Sequence, residues 1–205
     1  MIKEKIEPIF IRFLFNFIIA TVFIILSCKT EKSNDTMSEE FLPITSGNTW
    51  TFVNENGSDT LQIELGNAIP KGFEGVGTVY PFREDSAFCI FEEVIYLVHK
   101  NNKGEWKRNR ELIHKPLYSG QYWTYNLGNE YWSTRVWNAD LNHSGRGGNF
   151  PHCRFLHTIQ QMRTSIIIIE EIYAPNIGLV LKRIDNDNDG NWDQIWHLIT
   201  WEIKK

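Results

Sequence analysis

The chain has 205 residues, and its 21 Lys and Arg against 25 Asp and Glu give a net charge of −4. This mildly acidic balance argues against non-specific nucleic-acid binding, which requires a concentrated basic patch. Eight tryptophans are spread along the chain. Their even spacing favours a buried core, and the alternative is a set of exposed platforms for a sugar or a lipid chain.

The first 27 residues have the pattern of a bacterial lipoprotein signal peptide. A basic start precedes an apolar run at 13–26, which is shorter than the roughly 20 residues that a membrane-spanning helix needs. The run ends in Leu26-Ser27-Cys28, which is typical of a lipoprotein cleavage site. We therefore predict that Cys28 becomes the first residue of the mature chain and carries an acyl lipid such as palmitate. The alternative is a short membrane anchor that stays uncleaved.

After the cleavage site the chain changes character twice. Residues 28–40 are polar and charged without an apolar period, which predicts a flexible tether. From residue 41 onward, apolar and polar residues alternate, as an antiparallel sheet with one buried face requires. We predict one all-β domain at 41–205, with its antiparallel sheet curled into a barrel or folded as a sandwich. The only predicted helix is the signal segment.

Two blocks of the domain resemble each other. Pro43-Ile-Thr-Ser-Gly-Asn-Thr-Trp-Thr-Phe52 is matched in register by Pro116-Leu-Tyr-Ser-Gly-Gln-Tyr-Trp-Thr-Tyr125. A Ser-Gly turn that starts a strand explains each block. Two related halves, 41–115 and 116–205, are one interpretation, and chance similarity between two hairpins is the other.

Cys89 and Cys153 remain once Cys28 is assigned to the lipid. In an oxidising compartment such a pair forms a disulfide, and two buried free thiols are the alternative. Between these cysteines lies the glycine-rich stretch 142–152, which predicts a long flexible insertion. Its histidines and those nearby, His143, His152 and His157, do not have a zinc-ligand spacing and are expected at loops and strand edges.

The sharpest motif is Asp185-Asn-Asp-Asn-Asp-Gly-Asn-Trp-Asp193, a D-x-D-x-D-G-x-x-D pattern. Calcium takes six to eight oxygen ligands, and carboxylates at alternate positions converge if the loop curls. Several carboxylates in one turn repel one another unless a cation lies among them. We predict a structural Ca²⁺ site, with a plain polar turn as the alternative; its ligands are Asp185, Asp187, Asp189, Asn191 and Asp193.

Phe41-Leu-Pro-Ile-Thr-Ser-Gly-Asn-Thr-Trp-Thr-Phe52 and Tyr173-Ala-Pro-Asn-Ile-Gly-Leu-Val180 resemble blocks found in a group of uncharacterised bacterial lipoproteins. The resemblance covers about a tenth of the chain. It implies an exported, β-rich domain and brings no catalytic residues.

These patterns predict a lipid-anchored lipoprotein of the cell envelope, at the outer membrane, with a binding or structural role rather than an enzymatic one. Its partner is then a glycan, a lipid or another envelope protein. The alternative is a secreted glycan hydrolase that uses carboxylates such as Glu92, Glu170 or Asp140 in a cleft. The adjacent pairs 92–93 and 170–171 are not catalytic pairs in themselves, because neighbouring strand residues point to opposite faces.

Overall fold

A computed structural model describes residues 40–204, with the side chain of residue 139 left out, and contains thirteen strands. They are β1 (Thr49–Asn54), β2 (Thr60–Glu64), β3 (Ile69–Phe73), β4 (Gly77–Pro81), β5 (Ser86–Phe91), β6 (Val94–Lys100), β7 (Trp106–His114), β8 (Tyr122–Leu127), β9 (Glu130–Gly145), β10 (Gly148–Gln161), β11 (Ile166–Ala174), β12 (Gly178–Asp185) and β13 (Gln194–Glu202). No helix that could cross a membrane occurs between residues 40 and 204. The predicted signal helix, Cys28 and nearly all of the tether lie outside the described residues.

The strands form two antiparallel sheets. The larger has eight strands in the order β2-β1-β13-β12-β11-β10-β9-β8, and the smaller has five in the order β3-β4-β5-β6-β7. Each sheet is therefore a simple meander, except that β1 and β2 join the larger sheet beside β13, the last strand. The all-β prediction is confirmed. Of its two forms the sandwich is the one observed, because the sheets face each other and the larger one is not closed.

Side chains from both sheets share the main core. Phe52 and Leu156 of the large sheet pack in one cluster with Phe88 and Leu112 of the small sheet. The alternation that predicted the strands produces this arrangement, because every second residue of a strand faces the same side.

The small sheet also encloses a second core on its other face. Its strands coil around an apolar cluster to which both outer strands contribute, with Phe73 from β3 and Trp106 from β7. Phe73 and Cys89 are completely buried there. The middle strands are thus covered on both faces.

The two blocks that resemble the lipoprotein group lie against each other. Trp50 Nε1 donates a hydrogen bond to the carbonyl of Ile177 at 2.6 Å. Gly178 has a φ of +108°, and a Cβ there would lie 3.3 Å from both Leu42 and Trp50. A glycine is required at this position by its backbone conformation and by the close approach of the first block.

The two blocks that resemble each other also fold alike. In each, the glycine amide donates to a carbonyl of the returning chain: Gly47 to that of Leu65, directly after β2, at 2.7 Å, and Gly120 to that of Val136 in β9 at 2.9 Å. The return bonds have the same pattern, and Trp50 and Trp123 are both buried. Beyond these hairpins the halves differ, because β3–β7 form the small sheet whereas β10–β13 extend the large one.

The predicted flexible insertion at 142–152 is wrong. These residues continue the strands β9 and β10, and Gly145 pairs with Gly148 across a two-residue turn. Register shifts bend the hairpin, and its tip reaches β13, where Phe150 packs against Trp201 at 5.6 Å between ring centroids. Arg146 donates to the carbonyl of Glu55. The glycines serve the turn and the close contact rather than flexibility.

Candidate functional site

A cavity of about 600 Å³ lies between the two sheets. This volume is within the range of about 300–1,000 Å³ that is typical of small-ligand pockets. Most of its wall is apolar or aromatic: Leu42, Trp50, Phe52, Leu61, Ile63, Phe82, Phe88, Leu97, Leu112, Tyr173, Leu179, Ile184 and Trp196.

The polar residues of the cavity fall into two groups. Asp59, Thr60, Arg83 and Gln194 are exposed and form the rim. Arg110, Glu171 and Lys182 line the interior. The cavity therefore has a polar mouth, apolar walls and a charged interior group.

The interior charges begin with a buried ion pair that joins the two sheets. Arg110 of β7 donates to both carboxylate oxygens of Glu171 on β11, at 3.1 and 2.6 Å. Arg110 also donates to Thr158 Oγ1 at 3.3 Å, and this hydroxyl is 3.0 Å from that of Thr134. The side chains of Arg110 and Glu171 are only 4% and 3% exposed. Bidentate geometry and further hydrogen bonds are what a buried pair requires to offset its desolvation.

Both members of the pair stay charged. Burial opposes the charge on Glu171, but the guanidinium of Arg110 outweighs it and holds the pKa of the carboxyl below its ordinary value. Burial also opposes the charge on Arg110 and acts to lower the pKa of its guanidinium. The carboxylate of Glu171 outweighs burial, so this pKa is raised overall. The pair is thus a fixed, neutral unit within the apolar interior.

Lys182 adds a second positive charge beside this pair. Residues Glu171, Lys182 and Trp196 are cross-strand neighbours on β11, β12 and β13. The ammonium nitrogen of Lys182 lies 3.6 Å from Glu171 Oε1, and the Lys182 side chain is 30% exposed. Burial, together with the nearby charge of Arg110, lowers the pKa of Lys182, although Glu171 opposes the shift. One carboxylate thus faces two cations, so the group carries a surplus of one positive charge.

One polar atom of this group remains without a protein partner. Nε of Arg110 is buried, and no acceptor within the described part of the chain pairs with it. An unpaired buried donor costs stability. This nitrogen has almost no accessible surface, so its missing partner is a local cost of the packing around the ion pair.

Both carboxylates that line the cavity have hydrogen-bond partners within the protein. Glu171 is committed to Arg110, and Asp59 at the rim accepts a hydrogen bond from Asn54 Nδ2 at 3.0 Å. General acid and base work in glycoside hydrolysis requires two carboxyl groups that are free to act on one bond. The arrangement supports binding better than it supports hydrolysis.

The structure does not bring the predicted hydrolase carboxylates together. Glu92 is in the turn between β5 and β6, with a φ of +53°. Glu170 pairs with Arg183, whereas Asp140 accepts a hydrogen bond from His152 Nδ1 at 2.6 Å. All three lie outside the cavity lining. The expectation that adjacent strand residues diverge is confirmed at 170 and 171, since Glu170 pairs outside the cavity and Glu171 within it.

The aspartate loop connects β12 to β13 and brings together three of its five predicted ligands. Ligand atoms of Asp185, Asp187 and Asp193 lie within 4.8 Å of one another and could hold a metal ion. The carboxylate of Asp189 instead accepts from the amide and side chain of Asn191, at 2.7 and 3.1 Å.

The carboxylates of this loop differ in their surroundings. Burial acts to raise the pKa of Asp185, but the amides of Gly190, Asn188 and Asp189 donate to it and lower the pKa overall. Desolvation and the negative charge of Asp189 raise the pKa of Asp187. The trio offers hard oxygen donors and crowded negative charge, which suits a divalent cation.

Cys89 and Cys153 are both free and buried, so the predicted bridge is absent. Cys89 belongs to the core of the small sheet, whereas Cys153 belongs to the core between the sheets. Burial raises the pKa of Cys89 to about 12 and that of Cys153 to about 11, so both stay protonated. Both cysteines therefore fit the alternative prediction, that they are buried free thiols that act as small hydrophobic residues.

The three histidines near the glycine-rich stretch do not form a common site. His143 stacks on Phe150, with ring centroids 6.3 Å apart, and burial lowers the pKa of its imidazole. His152 pairs with Asp140, and His157 lies 3.6 Å from Glu170.

Some of the tryptophans are buried core residues, and others are exposed. Four of them are buried, at positions 50, 106, 123 and 132, and those at 137 and 201 are exposed. Trp50 and Trp196 line the cavity.

Sequence reasoning missed the interior charge group. Arg110 lies 61 positions before Glu171, whereas Lys182 faces Glu171 from the next strand, and only Glu171 carried a signal. It follows the apolar run Ile166–Ile169 and has the parity of the inward-facing residues, so a buried carboxylate could have been expected there. A buried carboxylate requires a cationic partner, but the pattern does not say which one.

Comparison with known proteins gives a distant likeness in structure. No family model matches the chain, and no curated protein matches it. A protein described as a lipoprotein from Parabacteroides distasonis is 13% identical, with a TM-score of 0.47, covering 81% of this chain and 100% of its own. A protein from Bacteroides fragilis that is described as exported and as having a YmcC-like fold is also 13% identical, with a TM-score of 0.45, covering 80% of this chain and 100% of its own.

Proposed function

We propose that this chain is a lipid-anchored, non-enzymatic lipoprotein of the cell envelope that binds a small apolar ligand between its sheets. The cavity of about 600 Å³ carries this proposal, because its walls are apolar and its rim is polar. Of the partners that the sequence left open, this lining favours a lipid over a glycan, which requires many hydrogen-bonding groups.

The ligand site is tested with an uncharged fluorophore, 1-aminoanthracene, on the chain from residue 29 onward. All thirteen strands and both cores lie within residues 41–203, so this chain keeps every described element. We expect saturable binding at one site. Leu61→Trp should weaken it at least about tenfold, because the larger side chain fills space that the probe needs.

Gln62→Trp is the matched control, since Gln62 is exposed on the neighbouring position of β2 and does not line the cavity. It should bind the probe like the unaltered chain. Absence of saturable binding, or equal binding by Leu61→Trp, would overturn the proposed site.

The anchor is part of the same proposal and rests on the sequence Leu26-Ser27-Cys28. Cells that express the whole chain are grown with an alkyne-tagged palmitate, and their membranes are then fractionated. The protein should be labelled and recovered with the outer membrane, and Cys28→Ala should lose the label. A labelled Cys28→Ala protein would contradict the assignment.

We also propose that Asp185, Asp187 and Asp193 bind a structural Ca²⁺ that stabilises the β12–β13 loop. The convergence of the three carboxylates supports it. An ion that binds only the folded state adds about 2.7 kcal/mol at a concentration 100 times its Kd. Calcium should therefore raise the Tm over that in chelator, and Asp187→Asn should remove the difference.

Asp140→Asn is the control for the loop, because Asp140 is an exposed carboxylate on β9, outside the cluster. It should keep the full calcium response. An identical Tm with calcium and with chelator in the unaltered chain would show that the aspartates form only a turn.

A further inference from the structure

We propose that the ligand is a single-chain amphiphile that ends in a carboxylate, a long-chain fatty acid, bound with its carboxylate inward at Lys182. The inference rests on the proposed function, since it names the class of ligand that the same cavity takes.

The charge of the interior group is the first argument. Arg110 holds Glu171 by two hydrogen bonds at 3.1 and 2.6 Å, whereas the ammonium of Lys182 lies farther from the same carboxylate, at 3.6 Å. The side chain of Lys182 is 30% exposed, and this residue lines the cavity. A monoanion at this point would balance the surplus charge, and attraction between opposite charges is stronger inside a protein than in water.

The donors of Lys182 are the second argument. Lys182 lines the cavity, its ammonium carries three N–H donors, and its side chain is 30% exposed. A carboxylate only accepts hydrogen bonds and has two oxygens to offer. It therefore supplies what this end of the cavity lacks, whereas a neutral hydroxyl supplies no charge.

The apolar walls provide for the rest of the molecule. Leu61 and Ile63 of β2, together with Ile184 of β12, line the cavity on the large sheet, and Phe88 and Leu97 line it on the small one. An alkyl chain gains free energy in proportion to the apolar surface that it buries there. A single surplus charge and one cavity fit a single-chain monoanion better than a two-chain phospholipid.

The test compares hexadecanoate with hexadecan-1-ol, which has the same chain length and no charge. Both compete with 1-aminoanthracene on the chain from residue 29 onward, after its removal from endogenous lipid. The acid should bind about tenfold more tightly than the alcohol, which is the order expected for a charge-assisted contact. Lys182→Met should remove this preference, and Lys182→Arg should retain it.

Lys107→Met is the matched control, because Lys107 is half exposed, at 53%, and lies outside the cavity. It should leave the preference unchanged. Equal binding of acid and alcohol by the unaltered chain would overturn the inference while leaving the cavity as an apolar ligand site. An unchanged preference in Lys182→Met would also overturn it. If neither ligand displaces the probe because the probe itself does not bind, the proposed function fails instead.

Discussion

The two faces of the small sheet are packed in different ways. On one face, Cys89 and Val98 belong to a closed apolar core within the coiled sheet. On the other face, Phe88 and Leu97 look toward the large sheet across a cavity of about 600 Å³. The same strands therefore supply one core that is filled and one that is open.

Packing of the closed core leaves no spare space at its tightest point. A Cβ added at Gly77 would lie 2.8 Å from Cys89 Sγ. The open core instead contains a buried ion pair and a lysine, groups that cost free energy to desolvate. Since the chain fills one face of the sheet so closely, the space on the other face is a feature of the fold that supports a binding role.

The difference in packing between the two cores is tested most sharply by truncating one phenylalanine in each core. Phe73 is completely buried in the closed core, and Phe52 is 3% exposed but lines the cavity. Phe73→Ala should lower the free energy of unfolding by about 3–5 kcal/mol, because it leaves a void. Phe52→Ala should cost less, since its side chain already borders open space.

Urea unfolding of the two variants measures both values against the unaltered chain. Equal losses would mean that the cavity wall is packed as tightly as the closed core, which would contradict the distinction between them.

The next prediction concerns the ion pair of the open core. Arg110→Met leaves Glu171 buried without its main partner, which should lower the free energy of unfolding by about 3–5 kcal/mol. The double variant Arg110→Met with Glu171→Leu should recover most of that loss, because the buried carboxylate is gone and the remaining charge, that of Lys182, is on a side chain that is 30% exposed. Urea unfolding of the single and double variants provides the measurement. A double variant as unstable as the single one would mean that the pair itself holds the sheets together.

The smallest effect is a dependence of stability on acid. The folded state lowers the pKa of Glu171 below its ordinary value of 4.5. The resulting stabilisation is therefore fully present above pH 4.5 and is lost as the pH falls through the lower, folded-state pKa. The free energy of unfolding is measured against pH for the unaltered chain and for the double variant Arg110→Met with Glu171→Leu. Relative to this variant, the unaltered chain should lose stability only below pH 4.5. A parallel pH profile for the two proteins would contradict this assignment.

Some of this architecture follows from the sequence and some does not. Period-two alternation identified β1 and β2, because a strand with one buried face repeats every two residues. It missed β3 and β4, where Pro70, Lys71 with a φ of +55° and Pro81 interrupt the pattern. It also failed at 142–152, where glycines that serve a tight turn were read as a sign of flexibility.

The cavity could not be predicted from the same signals. Leu61 and Val79 both occur in alternating or apolar stretches, yet Leu61 lines the cavity and Val79 is completely buried in the closed core. Whether such a residue lines a cavity or lies in a closed core depends on the distance between the packed layers. That distance is set by long-range packing. The pairing of Arg110 with Glu171 across 61 positions depends on it in the same way.

The central claim is that the open core, and not the closed one, receives an apolar ligand. Methyl NMR of the chain from residue 29 onward, labelled at Ile, Leu and Val and titrated with hexadecanoate, tests it most directly. The account predicts saturable shifts at the methyls of Leu61, Leu112 and Ile184, which line the cavity, and little change at Val79 and Val98 in the closed core. Shifts confined to the closed core or to surface methyls, or no shifts at saturating ligand, would contradict it.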